Sequence, residues 1–320
     1  MSGAVPNYYY KLYLERMVAK MRMLDYVTKR PVPLNEGNVI YFARMTSSST
    51  TVSAYRVIYS AGYGPISTEN ALSTSVSATV EKFANAKAIL DVTALTAINS
   101  TVEETVRETG DQAGTIIDIR VMQEGYGTSA TPTGAGFSAF AYNTVGKADL
   151  GASTSNFYNY VGTVEYGLAT STIRASVSKL LMRNVEPLDD GYFAFICTAK
   201  SAYALQADTT WQSAYQYTDP ENLRKGIAGD YAGARIVIDN NITTSANGSN
   251  GNTLYYSFLL GRGALTVSDL DGGGSSPQFY TVKGADKFDP VDEFITVGWK
   301  TVFAVARTNI SAGLIVVTAD

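Results

Sequence analysis

A long apolar stripe in the first half of the chain does most to limit what it can fold into. Leu95, Ile98, Val102, Val106, Ile117 and Val121 recur at steps that place them on one face of a helix. Ser100-Thr101-Val102-Glu103 has the form of a capping box, with a hydroxyl at the start and a carboxylate three residues on. The helix is therefore expected to restart there. Gly110 and Gly114 interrupt its middle, each weakening a helix by about 1 kcal/mol relative to alanine. A helix with one such face needs a second layer to bury it.

Two further helices are expected. From Tyr8 to Thr28, the residues Tyr10, Leu14, Met17, Met21 and Leu24 share a face, while Lys11, Glu15, Arg22 and Asp25 lie mostly off it. This helix ends before Pro31-Val32-Pro33, whose prolines impose an extended backbone. As a leading helix it can dock on a neighbouring molecule as an arm or pack on its own domain, and both readings stand. Leu168–Asn184 is the third, with Ile173, Val177, Leu180 and Leu181 facing a core. Gly125–Ser155, rich in Gly, Thr and Ala, reads as loop.

Val39–Met45 and Val52–Ser60 read as strands on either side of the polar run Thr46–Thr51, and Val76–Phe83 alternates apolar with polar residues. Ser47–Ser77 is dominated by Ser and Thr and has few large apolar side chains. Such a hairpin-like excursion buries little of itself, so a neighbour is expected to order it. Beyond Pro187 the pattern turns to strands. Leu188-Asp189-Asp190-Gly191 forms a turn and Tyr192–Ile196 a buried strand. Ala202–Gln216 reads as helix, and Asp219-Pro220 starts a short helix that stops near Gly226. Arg235–Ile238, Thr253–Leu260, Phe279–Val282, Glu293–Val297 and Thr301–Ala306 complete a mostly β set. With no internal repeat and no β-α alternation, the fold class is α+β.

Histidine is absent and cysteine occurs once among the 320 residues. Ser-His-Asp and Cys-His catalysis and the usual zinc sites are thereby excluded, and no enzyme activity, cofactor or metal is expected. The lone Cys197, in an apolar run, reads as a small buried hydrophobe. A net charge of −4 is the opposite of what a protein built to grip nucleic acid shows. No apolar run is long enough for a transmembrane helix, and Met1–Pro6 lacks the basic-then-apolar pattern of a secretory leader. Tyrosine is abundant, with 22 Tyr against 12 Phe and 2 Trp. Its apolar body and polar tip suit surfaces that are wet in a monomer and buried in an assembly.

The motifs that could carry chemistry fail on context. Gly125-Tyr126-Gly127-Thr128-Ser129-Ala130 has dinucleotide-loop spacing but follows a helix where a strand is required. Asp269-Leu270-Asp271-Gly272 opens like a calcium loop, yet its twelfth position is Tyr280 and not glutamate. Glu103-Glu104 suits a helix start and Asp189-Asp190 a turn. No catalytic, cofactor-binding or metal-binding residue is assigned.

The collinear order of several stretches resembles the tailed-bacteriophage major capsid proteins of the Hong Kong ninety-seven-like fold, in the family with short, unprocessed chains. Tyr10–Arg16 followed by Pro33–Phe42 resembles the leading arm running into the extended loop, and Gly62-Tyr63-Gly64-Pro65 resembles that loop's turn. Asp190–Ile196 is similar to the strand that enters the axial domain. Asp208-Thr209-Thr210-Trp211, Glu221–Gly226 and Gly229–Val237 are similar to that domain's body, and Asp289-Pro290 with Val297–Lys300 to the closing strands. Thr198-Ala199-Lys200 departs from the pattern, since relatives often carry a histidine-proline pair there.

The resemblance implies an arm over residues 1–36, an extended loop over 37–88 and a peripheral domain with a spine helix over 89–190. It implies an axial domain over 191–280 and strands returning to the peripheral domain over 281–320. It further implies self-assembly into hexamers and pentamers of an icosahedral shell around double-stranded DNA, made in the host cytoplasm and located in the virion. The partners implied are further copies of the chain, a separate scaffolding protein, a portal and decoration proteins, with weak, non-specific contact to packaged DNA and none to membrane. The alternative is an encapsulin-like cargo shell of the same fold.

Overall fold

The computed structural model describes residues 4–32, 39–45, 73–96, 100–126, 141–144, 167–218, 229–242, 244–245, 253–270, 277–282 and 292–319. Its long helix restarts where the hydroxyl of the capping box predicts. A short helix α2 (Asp91–Thr96) gives way to α3 (Thr101–Tyr126), whose first turn is closed by Glu104 N–H donating to the Ser100 carbonyl at 3.1 Å. At about 1.5 Å per residue, its 26 residues span roughly 39 Å. Val106, Ile117 and Val121 are buried as the stripe requires, but Leu95 belongs to α2 and stands 82% exposed.

The leading helix, α1 (Ala4–Lys20), starts earlier and stops sooner than its periodicity predicts. A tertiary bond accounts for the stop. The Met23 backbone N–H donates to the Asp118 Oδ1 of α3 at 2.7 Å, and the chain turns through a single 3-10 turn, Met23–Tyr26, into strand β1 (Thr28–Val32). The expected stripe is the buried one at Met17, with Leu14, Met21 and Leu24 packed on the core, but Tyr13 is buried where the periodicity predicts Tyr10, and Tyr10 is exposed.

The two glycines of α3 lie against Tyr13 and Met17. A Cβ at Gly110 would lie 2.8 Å from the Tyr13 carbonyl oxygen, and one at Gly114 would lie 2.5 Å from that of Met17. The glycines are therefore what lets α1 cross α3 at backbone distance, and this outweighs their cost to helix propensity. Within the subunit, the leading helix packs on α3.

Among the described residues, strands form two large sheets and one small one. The first contains β1, β11 (Leu265–Leu270), β13 (Phe294–Arg307) and β12 (Gln278–Val282) in that order, with β4 (Glu81–Leu90) also on β13. The sequence reads Glu293–Val297 and Thr301–Ala306 as two strands. They form one strand because β4 runs antiparallel beside them from the Leu90–Phe294 pair to the Glu81–Phe303 pair, carrying the ladder through Gly298. Along β4 the side chains alternate, and Ile89 is buried while Ala84, Ala86 and Ala88 face outward.

The second sheet runs in the order β5 (Ala141–Thr144), β14 (Gly313–Ala319), β10 (Leu254–Leu260), β6 (Phe193–Cys197), β8 (Ala234–Ile238), β7 (Asp230–Tyr231), with β9 (Thr244–Ser245) on β10. β5 falls in the stretch read as loop; it is a strand because β14 offers it a parallel partner from Leu314–Ala141 onward. The strand pairings also depart from the expected division. β11, placed with 191–280, pairs in the first sheet, as does β12, which straddles that boundary, whereas β14, placed with 281–320, pairs with β10 in the second. Leu314, Ile315, Val316 and Val317 are all buried, as a strand covered on both faces demands. Residues 81–88, placed with the extended loop, lie in β4.

The small sheet is the hairpin β2 (Val39–Met45) and β3 (Ser73–Thr79). Ile40, Phe42 and Ala78 pack against Ala304 and Ala306 of β13, so the base of the excursion leans on its own subunit. Residues 46–72, including the expected strand Val52–Ser60 and the Gly62–Pro65 turn, lie outside the described residues. Helix α4 (Thr170–Met182) buries Ile173, Val177 and Leu180 but exposes Leu181. The stretch expected as one helix over Ala202–Gln216 is two, α5 (Ala199–Gln206) and α6 (Thr209–Thr218). Asp208 breaks it by accepting from Thr210 N–H at 2.9 Å, and its other oxygen takes the Thr170 N–H and hydroxyl at 2.9 and 2.7 Å. The short helix expected after Asp219 lies outside the described residues.

Candidate assembly surfaces

Helix α3 joins the other parts of the subunit, and charged side chains fix its orientation. Arg120 donates to both carboxylate oxygens of Glu81 on β4, at 2.7 and 3.1 Å, and to Glu124 one turn on at 3.2 Å. Glu124 also lies 3.6 Å from Arg307 of β13, Lys87 pairs with Glu108 at 2.7 Å, and Arg16 ties α1 to Asp111 at 3.1 Å. Pairs this close to solvent set rotation and register more than they stabilise. At the far end of α3, Tyr126 donates its hydroxyl to the Tyr256 carbonyl at 2.9 Å and stacks on Phe258 at 4.5 Å, reaching the second sheet.

A buried pair of carboxyls lies at the same junction, and the sequence reading missed it. Asp118 of α3 and Asp239, just after β8, are both buried, and Asn241 bonds both, its side-chain amide donating to Asp118 and its backbone N–H to Asp239. Burial first, and the neighbouring Asp239 second, push the Asp118 carboxyl up to about 8. One signal was available: Asp118 sits beside Ile117 and three residues before Val121, on the apolar side of the helix, where carboxylates are rarely found unpartnered.

The motif residues are dispersed over turns and helix ends. Glu103 and Glu104 occupy the first turn of α3. Asp190 accepts from Arg235, which also bonds Asp230, while Asp189 lies 3.5 Å from Arg262. Gly125 and Tyr126 close α3, with the rest of that motif outside the described residues. Asp269 and Leu270 end β11, and Asp271 and Gly272 are likewise outside. Cys197 is fully buried, and burial pushes its thiol up to about 12. Among the described residues no three Asp, Glu or Cys converge as metal ligands, and no helix is long and apolar enough to cross a membrane.

Among the described residues, two outward surfaces carry apolar or small side chains with little cover. On the outer face of the first sheet, Ala84, Ala86, Thr296 and Gly298 floor a shallow trough of about 490 Å³, walled by Tyr280 and Val282. Lys300 lies over the Tyr280 ring at 5.1 Å. At the end of that sheet Leu90 is exposed, and so are Val92 and Leu95 of the adjoining α2. A contiguous group of large apolar side chains in water is the usual mark of a contact surface.

No known family's sequence pattern matches the chain, and neither does any curated protein. Solved structures do match. The capsid asymmetric unit of cyanophage Pam1 is similar with a TM-score of 0.64 and 15% identity, over 94% of this chain and 93% of that one. The head structure of Helicobacter pylori bacteriophage KHP40 is similar with a TM-score of 0.64 and 11% identity, over 93% and 91%. The capsid of Ralstonia phage GP4 is similar with a TM-score of 0.64 and 13% identity, over 92% and 87%. These likenesses define the class, an α+β fold used by phage shell subunits. In particular, the chain has the Hong Kong ninety-seven-like capsid fold.

Proposed function

We propose that this chain is the major capsid protein of a tailed bacteriophage, a structural subunit that catalyses no reaction. The observation that carries the reading is the end-to-end likeness to phage capsids and heads, which leaves little of either chain unmatched. A fold alone does not fix a function. Here it is supported by the exposed apolar side chains of Leu90, Val92 and Leu95 and by a chain with no histidine and a single buried cysteine.

On this reading α3 is the spine helix of a peripheral domain built from β1, β4 and β11–β13. The second sheet, with α4–α6, is the axial domain that lines the centre of a hexamer or pentamer. The Ser/Thr-rich segment carried by β2 and β3 is the extended loop, and the small-residue trough on the first sheet is the surface that receives it from a neighbour. The shell encloses double-stranded DNA, with a separate scaffolding protein, a portal and decoration proteins as further partners. Assembly takes place in the host cytoplasm and the product is the virion.

Electron microscopy of the assembled full-length chain tests this. Closed particles with icosahedral symmetry are expected; tubes, trimers or a discrete small oligomer would overturn it, and particles filled with a protein cargo would favour an encapsulin-like shell instead.

A further inference from the structure

Asp118 and Asp239 are two buried carboxyls held at one junction by Asn241, and one of their four oxygens has no donor. Asp118 accepts from Met23 N–H at 2.7 Å on one oxygen and from the Asn241 amide Nδ2 at 3.1 Å on the other. Asp239 accepts from the Asn241 backbone N–H at 2.9 Å through Oδ1, and its own N–H donates to the Cys197 carbonyl at 2.8 Å. Its buried Oδ2 has no donor. Ionised carboxylates only accept, so within the pair that oxygen can be satisfied only by a proton held between the two carboxyls. That one proton satisfies Asp239 Oδ2 and removes one of two buried charges.

The charged groups on the elements packed around the pair are engaged elsewhere or face solvent. Arg22 and Asp25, which flank Met23, have exposed side chains. On α3, Asp111 bonds Arg16, and Arg120 bonds Glu81 and Glu124. On β8, Arg235 bonds Asp230 and Asp190, and β6 contributes only the buried Cys197 thiol. Among the described residues no lysine or arginine pairs with either carboxyl.

The junction is also where three parts meet: the turn after α1, the middle of α3 and the turn leaving β8 in the second sheet. We propose that the Asp118–Asp239 pair is a proton-held clasp. With the proton shared, it ties the leading segment and the spine helix to the second sheet; without it, two buried negative charges force the sheet and helix apart. A carboxyl whose folded value is raised contributes stability that is complete below its unfolded value, near 4, and lost as pH rises through the folded value, here about 8. The clasp is closed in acid and opens in mild alkali. This holds for the single subunit, whatever it assembles into.

The chain is well suited to the test. It has no histidine, so few other groups titrate between about pH 6 and about pH 9. Urea unfolding of the unassembled full-length chain is measured across that range, together with the carbon-13 signals of its aspartate carboxyls. For the wild type, the unfolding equilibrium constant is expected to rise at least roughly tenfold, with one aspartate signal titrating near the top of the range. In Asp239→Asn, the amide donates permanently to Asp118 and one buried charge is gone, so the late titration should move to lower pH and the pH slope should shrink, burial of Asp118 alone remaining. A wild-type unfolding constant that is flat across the range would overturn the clasp. So would a late titration that stays unmoved in Asp239→Asn. If that variant does not fold, the wild-type slope and titration decide alone.

Discussion

The second sheet and the β2–β3 hairpin are both antiparallel at their centres, yet they rest on opposite supports. In the sheet, all five residues of β6 are buried, and β10 is buried at six of its seven positions, between β6 and β14. In the hairpin only one face is covered, by two alanines, and Tyr41 on the other face is 70% exposed. An isolated two-stranded sheet is marginal in water. The sheet therefore holds the fold, while the hairpin has one face on β13 and Tyr41 exposed on the other.

The sharpest way to break this contrast is to make the same substitution in both places. Phe258→Ala removes a fully buried ring that packs on Tyr126 and sits between Ile315 and Ile196 in register. The loss should be about 3–5 kcal/mol, read from the urea midpoint. Phe42→Ala removes an equally buried ring. There the hairpin can come away locally, so the global midpoint should fall far less while the amides of residues 39–45 lose protection. Equal losses at the two sites would show that the hairpin belongs to the cooperative core.

A smaller effect is expected where the leading helix crosses the spine. Judged by propensity alone, Gly114→Ala should stabilise α3 by about 1 kcal/mol. The new Cβ would instead press on the Met17 carbonyl, where backbone must move, and such overpacking costs about 1–3 kcal/mol. The net change should be destabilising, and larger than for Gly110→Ala, whose Cβ has slightly more room. Thermal denaturation of the two variants decides this; a rise in Tm for either would mean that α1 is not held at that distance.

These contrasts also show which parts of the structure could be read from sequence. Elements set by local chemistry were legible: the restart of α3 at Ser100-Thr101, the buried strand after Asp190-Gly191, and the strands at Arg235 and Thr253. Elements set by a distant partner were not. The close approach of α1 depends on two glycines some hundred residues away along the chain, and β5 exists only because β14 lies beside it. β13 runs unbroken through Gly298 because β4 pairs along it. The break at Asp208 did carry a local signal, an aspartate two residues before an N–H that it caps, but the helical pattern on both sides hid it. Of the candidate surfaces, the Ser/Thr-rich excursion was visible as composition. The Asp118–Asp239 pair was visible at most as one carboxylate on an apolar face, since its partner comes from another sheet.

The smallest effect on the subunit is expected at the end of the first sheet, and there the assembled state is the readout. Leu95 is 82% exposed and Val92 64% exposed, both on α2. A side chain already in water loses almost no burial when shortened, so Leu95→Ser and Val92→Ser should each change subunit stability by no more than about 0.5 kcal/mol. If the patch is covered by a neighbouring copy, the same substitution removes apolar area from the contact. At about 25 cal/mol per Å², burying a leucine is worth roughly 1.5–3 kcal/mol, and every subunit of a closed particle repeats the loss. Leu95→Ser should therefore leave the urea midpoint in place and raise the concentration of chain needed for particles to form, measured by light scattering on matched samples. Thr96→Ser, one residue along the same short helix and without a large apolar side chain, serves as the control and should alter neither. An unchanged assembly threshold in Leu95→Ser would mean that this end of the sheet stays in solvent in the particle. The contact would then have to be sought along the trough between Ala86 and Tyr280.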